Sequence, residues 1–164
     1  MYSLIYYGNE SSPNSHYEKF ILTGEVKCID DEIPFELPKG WEWCRLGEVA
    51  LVTGGYAFSS ESLKLPQGIR VIRISDFNEQ GWVNKSIVRY DWEDIASQYE
   101  IHINDLLLAM TGGTVGKSFF VQEVTEKMYL NQRVAIIRST SLLPEYINIH
   151  LKSLFIIDLI NSIK

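Results

Sequence analysis

The spacing of β-forming runs constrains the fold of this chain more than any other sequence feature. Residues 68–77 (GIRVIRISDF) are the clearest run of β-branched and aromatic residues. Similar runs follow at residues 86–90, 105–110, 117–122 and 132–139. Neighbouring parallel strands need a crossover of a dozen or more residues, and most of these gaps are too short for one. The sequence therefore predicts an α+β fold that is strand-rich, with a mostly antiparallel, curved sheet and short helices.

Helical patterns occur at three places. A helical turn is predicted near residues 47–50, and residues 91–99 (DWEDIASQY) predict a short helix that is capped by Asp91. Residues 143–164 place apolar side chains at helical spacing on one broad face. This last segment predicts a C-terminal helix.

Charge is unevenly distributed along the chain. The formal net charge is −6, but residues 1–38 hold seven acidic and two basic side chains, whereas the next hundred residues are nearly balanced. We predict an acidic N-terminal arm or linker over residues 1–36, a domain body over residues 37–141, and the C-terminal helix over residues 142–164. The net acidity therefore does not exclude a local basic surface on the body.

Four tryptophans are assigned to the core. Trp41 and Trp43 lie two positions apart in the stretch WEWC, which is typical of a strand with one buried face. Trp82 and Trp92 are placed in the core with them.

The stretch Gly116-Lys117-Ser118 is similar to the end of a nucleotide-binding loop, but its surroundings do not fit one. Such a loop needs a glycine five positions before Gly116, and Thr111 stands there. It must also lead into a helix whose free N–H groups bind phosphate, whereas residues 118–121 (SFFV) are typical of a strand. The stretch therefore predicts the turn of a β-hairpin.

Sequence patterns for catalysis and metal binding are missing. The chain has no Gly-x-Ser-x-Gly elbow, no His-Glu-x-x-His pair and no Gly-x-Gly-x-x-Gly loop. Cys28 and Cys44 are far apart, and a metal site needs clustered ligands. The histidines occur in unrelated contexts, at His16, His102 and His150. We expect no catalytic residue, no metal and no cofactor.

Four loops rich in small and polar residues connect the predicted strands, at residues 53–62, 73–81, 111–117 and 129–133. Glycines allow close backbone approach, Arg and Lys donate to phosphate or guanine, and Asn and Gln have the amide geometry that reads adenine. This mixture is typical of a DNA-reading surface, although a carbohydrate-binding surface needs similar residues. The candidate DNA-binding residues are Gly54, Gly55, Tyr56, Phe58, Arg70, Arg73, Ser75, Gly113, Thr114, Lys117, Asn131, Gln132 and Arg133.

Structural alternatives remain open for three of these residues. The rings of Tyr56 and Phe58 either reach a bound DNA or pack inward. The turn that carries Lys117 either places its side chain near the DNA backbone or only shapes a tight hairpin.

An ordered set of sequence stretches resembles the target recognition domain of type I restriction–modification specificity subunits. The stretches are residues 37–50 (LPKGWEWCRLGEVA), 54–77, 104–117 (NDLLLAMTGGTVGK) and 129–138 (YLNQRVAIIR). The segments 16–38 and 144–153 also agree with the family's pattern. One departure is Asn104-Asp105, where the family usually has Gly-Asp. Because Asn tolerates left-handed backbone angles, we expect the turn to be retained.

The resemblance implies a domain that reads one half of a split DNA target and performs no chemistry. The implied partners are double-stranded DNA, the methyltransferase subunits, which use S-adenosylmethionine, and the ATP-driven restriction subunit. Specificity subunits generally carry two such domains separated by long helices, so this chain is expected to be one half, with residues 142–164 as the start of a spacer helix. Two alternatives stay open: a protein- or glycan-binding module, and a domain that only docks methyltransferase subunits through Leu151 and Phe155.

Location follows from two further features. A run of about eighteen apolar residues is missing, which predicts no membrane span. The first residues lack a basic segment ahead of their apolar residues, which predicts no secretory signal. We expect a cytoplasmic protein with reduced thiols.

Overall fold

The computed structural model describes residues 3–8, 15–63, 67–91 and 95–162. The chain forms two compact units, Met1–Val49 and Ala50–Lys164. The sequence-based boundary at residue 36 stays a prediction. In chain order the elements are β1 (Ser3–Tyr7), β2 (His16–Phe20), β3 (Val26–Cys28), α1 (Leu46–Val49), β4 (Ala50–Gly54), β5 (Ile69–Ile72), β6 (Phe77–Asn78), β7 (Gly81–Trp82), β8 (Val88–Tyr90), β9 (Leu106–Ala109), β10 (Ser118–Phe120), β11 (Met128–Leu130), β12 (Val134–Ser139), α2 (Pro144–Leu151) and α3 (Leu154–Ser162).

The N-terminal unit is built on a three-stranded antiparallel sheet in the order β1-β2-β3. After β3, the acidic residues Asp30–Glu32 form a 3-10 turn. An ion pair links Arg45, near the end of this unit, to the buried side chain of Glu18 on β2. Glu18 is 3% exposed and accepts hydrogen bonds from Arg45 Nε and Nη2 at 3.1 and 2.6 Å. The Ser3 hydroxyl also donates to Glu18, at 2.7 Å.

Acid is expected to weaken this unit through Glu18. The hydrogen bonds from Arg45 hold the pKa of Glu18 below its ordinary value of 4.5. Stability from a lowered carboxyl pKa is present above the unfolded value and is lost as pH falls through the folded value. Urea unfolding at a series of pH values below 5 should therefore show a declining free energy of unfolding, and Glu18→Gln should flatten that decline.

The matched control for Glu18 is Glu36→Gln, which removes an exposed carboxylate. The two variants should differ in the slope of unfolding free energy against pH. Equal slopes for both variants would contradict the assignment of acid sensitivity to the Glu18–Arg45 pair.

The C-terminal unit contains the larger sheets. One has the order β10-β9-β12-β4 and is antiparallel throughout. A second has the order β11-β5-β8, in which β11 runs parallel to β5 and β8 runs antiparallel to it. A two-stranded ribbon, β6-β7, completes the strands of the described residues. The prediction of a strand-rich, mostly antiparallel α+β fold is confirmed.

Helix α2 packs its apolar stripe on the four-stranded sheet. Ile147 and Leu151 are 3% and 5% exposed and lie in one cluster with Ala50, Leu106 and Ile137. The helix begins with Pro144. Proline has no N–H group, and it costs no hydrogen bond here because N–H groups in the first turn have no acceptor within the helix.

The hairpin and the Asn104 turn are confirmed. Strands β9 and β10 pair antiparallel, and the turn between them has Gly112 and Gly116 at φ angles of 80° and 87°. Asn104 has φ 72°, which is the left-handed conformation expected from the usual glycine at this position. A strand therefore follows Lys117, in place of the helix that a nucleotide-binding loop requires.

The predicted strand at the stretch WEWC and the assignment of Trp41 to the core are wrong. Residues 41–44 form no strand, and Trp41 is 57% exposed. Trp43 is half-buried and packs edge-on against Phe35, with ring centroids 5.1 Å apart. Trp82 does pack against the core, 4.7 Å from Phe119, and Trp92 lies outside the described residues.

The C-terminal segment is two helices rather than the predicted one. Helix α2 ends at Leu151 and α3 begins at Leu154, with the backbone N–H groups of Lys152 and Ser153 bonded within the junction. Of the helix predicted at residues 91–99, the structure shows a 3-10 turn at Ser97–Tyr99, and residues 92–94 lie outside the described part.

None of the helices in the described residues combines the length and the apolar character that a membrane span needs.

Candidate functional site

The four polar loops predicted from the sequence meet in one cleft of about 910 Å³ in the C-terminal unit. Eight of the thirteen predicted binding residues line this cleft, and every one of the four loops contributes to it. The lining residues are Phe58, Ser60, Leu63, Arg73, Ile74, Ser75, Thr111, Gly112, Thr114, Lys117, Asn131, Gln132 and Arg133.

Backbone hydrogen bonds hold the loops together around the turn at residues 131–133. The Asn131 and Gln132 N–H groups donate to the carbonyls of Ile72 and Tyr56 at 3.0 and 2.9 Å. The Met110 N–H group, at the start of the hairpin turn, donates to the Arg133 carbonyl at 3.0 Å. The turn at residues 131–133 is thus hydrogen-bonded to each of the other three loops or to the residue directly before it.

Gly55 makes this arrangement possible. A Cβ atom at position 55 would lie 2.3 Å from the Asn131 carbonyl oxygen and 2.5 Å from that of Leu130. The neighbouring Gly54 has no such restriction, since its Cβ would meet only the end of Met110 at 3.6 Å. The close approach predicted for Gly55 is therefore made to the protein's own backbone.

Arg73 is held in a defined orientation at the cleft. Its Nε and Nη2 atoms donate to the Asp76 carboxylate at 2.9 and 3.0 Å, and Nη2 also donates to the carbonyl of Ser86. The hydrogen bonds that Arg73 donates to the Asp76 carboxylate raise the pKa of Arg73. The side chain stays 30% exposed, so a fixed cation faces water at this wall.

Lys117 connects two walls of the cleft. Its Nζ atom donates to the Ile74 carbonyl at 2.8 Å and lies 4.7 Å from the centroid of the Phe77 ring. Burial lowers the pKa of Lys117, and the nearby Asp76 charge opposes this effect. The ammonium group therefore has protein contacts on more than one side.

The remaining cation, Arg133, is exposed, as is its neighbour Gln132. In the part of the chain that the structure describes, neither side chain has a hydrogen-bond or ion-pair partner. Among the described residues, the lining has three cations, Arg73, Lys117 and Arg133, and no acidic side chain.

Five predicted residues do not line the cleft: Gly54, Gly55, Tyr56, Arg70 and Gly113. Arg70 is only 6% exposed, because its Nη2 atom donates to Asn84 Oδ1 at 2.8 Å and its guanidinium lies 5.9 Å from the Trp82 ring. Its burial leaves no surface for a ligand, and we omit it from the site.

Of the two aromatic residues in the first loop, Phe58 packs inward and Tyr56 stays partly exposed. Phe58 is 7% exposed and packs with Val71 and Tyr129, so it supports the cleft from below. Tyr56 is 37% exposed and meets Phe58 and Tyr99 edge-on at 5.0 and 5.4 Å.

Sequence reasoning did not select five lining residues: Ser60, Leu63, Ile74, Thr111 and Gly112. All five lie within or beside the four predicted loops, and membership of a loop was the available signal. Clusters of three or more His, Cys, Asp or Glu side chains suited to a metal ion do not occur among the described residues.

The fold and the cleft define a strand-rich domain that presents a polar, cationic recess between loops. Residues 38–162 match the family described as type I restriction modification DNA specificity domain. The match covers most of the chain, and the chain belongs to this family. The resemblance that was noted in the sequence is thereby confirmed.

Two curated relatives are type I restriction enzyme specificity subunits of Escherichia coli. The EcoAI subunit is 32% identical over 140 residues, which are 80% of this chain and 23% of that protein. The EcoEI subunit is 29% identical over 113 residues, which are 64% of this chain and 19% of that protein. The chain thus spans less than a quarter of the length of either relative.

Solved structures share the fold. The crystal structure of the HsdS subunit from Thermoanaerobacter tengcongensis is similar with a TM-score of 0.56 at 22% identity, over 72% of this chain and 28% of that one. A chain from a study of complex assembly and conformational transition of the type I R-M system gives 0.57 at 21% identity, with the same coverage.

Proposed function

We propose that this chain recognises one half of a bipartite double-stranded DNA target, as the specificity component of a type I restriction–modification complex. The observation that carries the proposal is the cleft, which combines the cations Arg73, Lys117 and Arg133 with the amides of Asn131 and Gln132. No acidic side chain is among the described residues that line it. Phosphates need cations, and base edges need paired donors and acceptors.

The distribution of charge supports binding at this unit despite the acidic chain. Residues 1–49 carry nine acidic and four basic side chains, whereas residues 50–164 carry twelve and eleven. A locally basic surface attracts a polyanion regardless of the total charge. DNA therefore meets the cleft and not the N-terminal unit.

Roles within the cleft follow from exposure and chemistry. Arg133 and Gln132 are exposed and have uncommitted donors, so they are the base readers. Ser75 and Thr114 offer hydroxyl groups, which commonly position phosphates. Arg73 keeps one orientation through Asp76 and binds a phosphate without first ordering its side chain.

Arg133→Ala is expected to weaken binding to the cognate half-site by about 1–3 kcal/mol, because a bidentate arginine–guanine contact is lost. Fluorescence anisotropy with a DNA duplex selected by the chain from a randomised pool measures this change. Sequence discrimination should fall with it. A uniform loss for all sequences, with a salt slope reduced by about one unit, would instead assign Arg133 to a phosphate.

The control is Lys152→Ala, which removes an exposed cation at the end of α2, outside the cleft. It should leave affinity and discrimination unchanged. An equal effect of both substitutions would mean that general charge, and not the cleft, determines binding.

The partners in this proposal are the methyltransferase subunits and the restriction subunit, which perform methylation and cleavage in the cytoplasm. Helices α2 and α3 expose Ile149, Leu154 and Leu159 at 71%, 79% and 46%, which offers an apolar docking surface. Leu151, considered for docking from the sequence, is a core residue at 5% exposure. Leu154→Ser is thus the better test of docking than a change at Leu151.

Methylation mapping tests the proposal as a whole. Residues 16–140 replace the corresponding segment of a complete type I specificity subunit, and the modified adenines are located across the host genome. A new half-site that appears with the segment supports sequence reading. Intact assembly with methylation that ignores the exchange refutes it and favours a docking-only role.

Salt dependence separates DNA recognition from protein or glycan binding. DNA affinity should fall steeply as salt rises, because bound phosphates release counterions. Binding that barely responds to salt would refute the DNA assignment.

A further inference from the structure

Lys117 differs from Arg133, the exposed cation of the cleft, in how its donors are used. Its Nζ atom already donates to the Ile74 carbonyl at 2.8 Å, and the Phe77 ring lies 4.7 Å away on another side. Arg133, by contrast, is exposed and has no side-chain partner among the described residues. One of the three donors of the Lys117 ammonium group is thus used within the protein, and the Phe77 ring covers another side of the group.

The contact of Lys117 joins two loops that share no backbone hydrogen bond in the described residues. Lys117 closes the hairpin turn, since the Ala109 N–H group donates to its carbonyl at 2.9 Å. Ile74 opens the 3-10 turn Ile74–Asp76, which carries Ser75 into the cleft. The Lys117 side chain therefore bridges 43 residues of sequence to set the distance between two walls.

The 3-10 turn is also where Arg73 is anchored. Asp76 accepts from both the backbone N–H group and the guanidinium of Arg73, at 2.9 Å in each case. A shift of this turn moves Arg73 and Ser75 together. The position of one wall of the cleft thus depends on a hydrogen bond donated from the other wall.

We infer that Lys117 is a positioning residue, whose ammonium group fastens the hairpin turn at residues 111–117 to the turn at Ile74–Asp76 and so fixes the width of the cleft, without contacting DNA itself. The inference rests on the proposed function, because the width matters only if the cleft receives DNA. It separates Lys117 from the phosphate-binding role that its position in the turn suggests.

Two substitutions distinguish the roles. Lys117→Met keeps the length and apolar stem but removes both charge and donor. Lys117→Gln removes the charge and keeps an N–H donor for the Ile74 carbonyl. The 164-residue chain and a duplex that the wild type selects from a randomised pool are used throughout, with a scrambled duplex as competitor.

For Lys117→Met we expect the ratio of affinities for selected and scrambled duplex to fall about tenfold, as for one misplaced base contact. The slope of log affinity against log salt should change by much less than the roughly 0.9 unit of a lost phosphate contact. Lys117→Gln should recover most of the discrimination. A ratio is used because a partly unfolded sample lowers both affinities equally.

The opposite results overturn the inference. A salt slope reduced by about one unit, with equal weakening on both duplexes in Met and Gln variants alike, makes Lys117 a phosphate ligand. If Lys117→Met discriminates between the two duplexes as well as the wild type, the hydrogen bond from Lys117 to the Ile74 carbonyl does not contribute to sequence recognition. If Lys117→Met does not fold, the Gln variant alone decides, by retained or lost discrimination.

Failure of the proposed function gives a different pattern. A wild-type chain that selects no duplex and shows no salt dependence overturns both claims. A wild type that discriminates, with Arg133→Ala impaired and Lys117→Met normal, overturns only the positioning role. Lys152→Met serves as the charge-matched control and should leave ratio and slope unchanged.

Discussion

Asp105→Ala is expected to lower the free energy of unfolding by about 3 kcal/mol, the low end for breaking a buried ion pair. Asp105 is 1% exposed and accepts hydrogen bonds from Arg138 Nε and Nη2, both at 2.7 Å. It also accepts from the His102 N–H group at 2.7 Å, at the turn that leads into β9. The low end applies because Arg138 remains 30% exposed and regains some water.

Urea unfolding of the full chain measures this loss. The matched control is Glu126→Ala, which breaks the ion pair with Arg89. The side chains of Glu126 and Arg89 are 35% and 25% exposed. That more exposed pair should contribute no more than about 1 kcal/mol. Equal losses for the two variants would contradict a special role for the buried carboxylate.

Gly55→Ala is expected to cost at least the upper end of the roughly 1–3 kcal/mol typical of overpacking. The added methyl group would lie 2.3 Å from the Asn131 carbonyl oxygen and 2.4 Å from its carbon. These are backbone atoms, so no side-chain rotation relieves the clash. The turn at residues 131–133 must move away, and DNA discrimination should fall together with stability.

Gly54→Ala is the control one residue earlier. Its new methyl group meets only the Met110 Cε atom at 3.6 Å, an ordinary contact. The unfolding free energy should change by less than about 1 kcal/mol, as for most substitutions away from close contacts. If Gly54→Ala lowered the unfolding free energy as much as Gly55→Ala, loss of backbone flexibility would explain both results, and the close approach at Gly55 would not.

The local parts of the fold could be predicted from the sequence. The hairpin of β9 and β10 follows from the change from apolar residues to a glycine-rich turn and back. The left-handed Asn104 follows from the known tolerance of asparagine for that conformation. In both cases the determining residues are adjacent in sequence, so no distant contact had to be known.

The predictions that were wrong concern features that depend on contacts between residues distant in sequence. Arg70 was grouped with Arg73 as a candidate for DNA binding, yet its guanidinium donates to Asn84, fourteen residues away, and is buried. The apolar spacing of the C-terminal segment predicts one helix, but it does not show the break between Leu151 and Leu154. Residues 41–44 form no strand, although the alternation in the stretch WEWC predicts one.

The same limit applies to the candidate site. The composition of the loops identified four segments as candidates for binding. That they lie around one cleft follows from the fold. Composition did not tell a supporting residue from a surface residue. Phe58 supports the floor and Lys117 joins the walls, and both roles follow from atoms contributed by other strands and turns.

The loops of the cleft are tied to one another at residues 131–133 almost entirely through main-chain groups. Main-chain hydrogen bonds form whatever side chain a residue carries, provided that it is not proline. Exposed positions such as Ser60, Thr114, Gln132 and Arg133 are therefore free to vary while the frame stays the same. Under the proposed function, substitutions at these positions should change which DNA sequence is read while the unfolding free energy stays nearly the same.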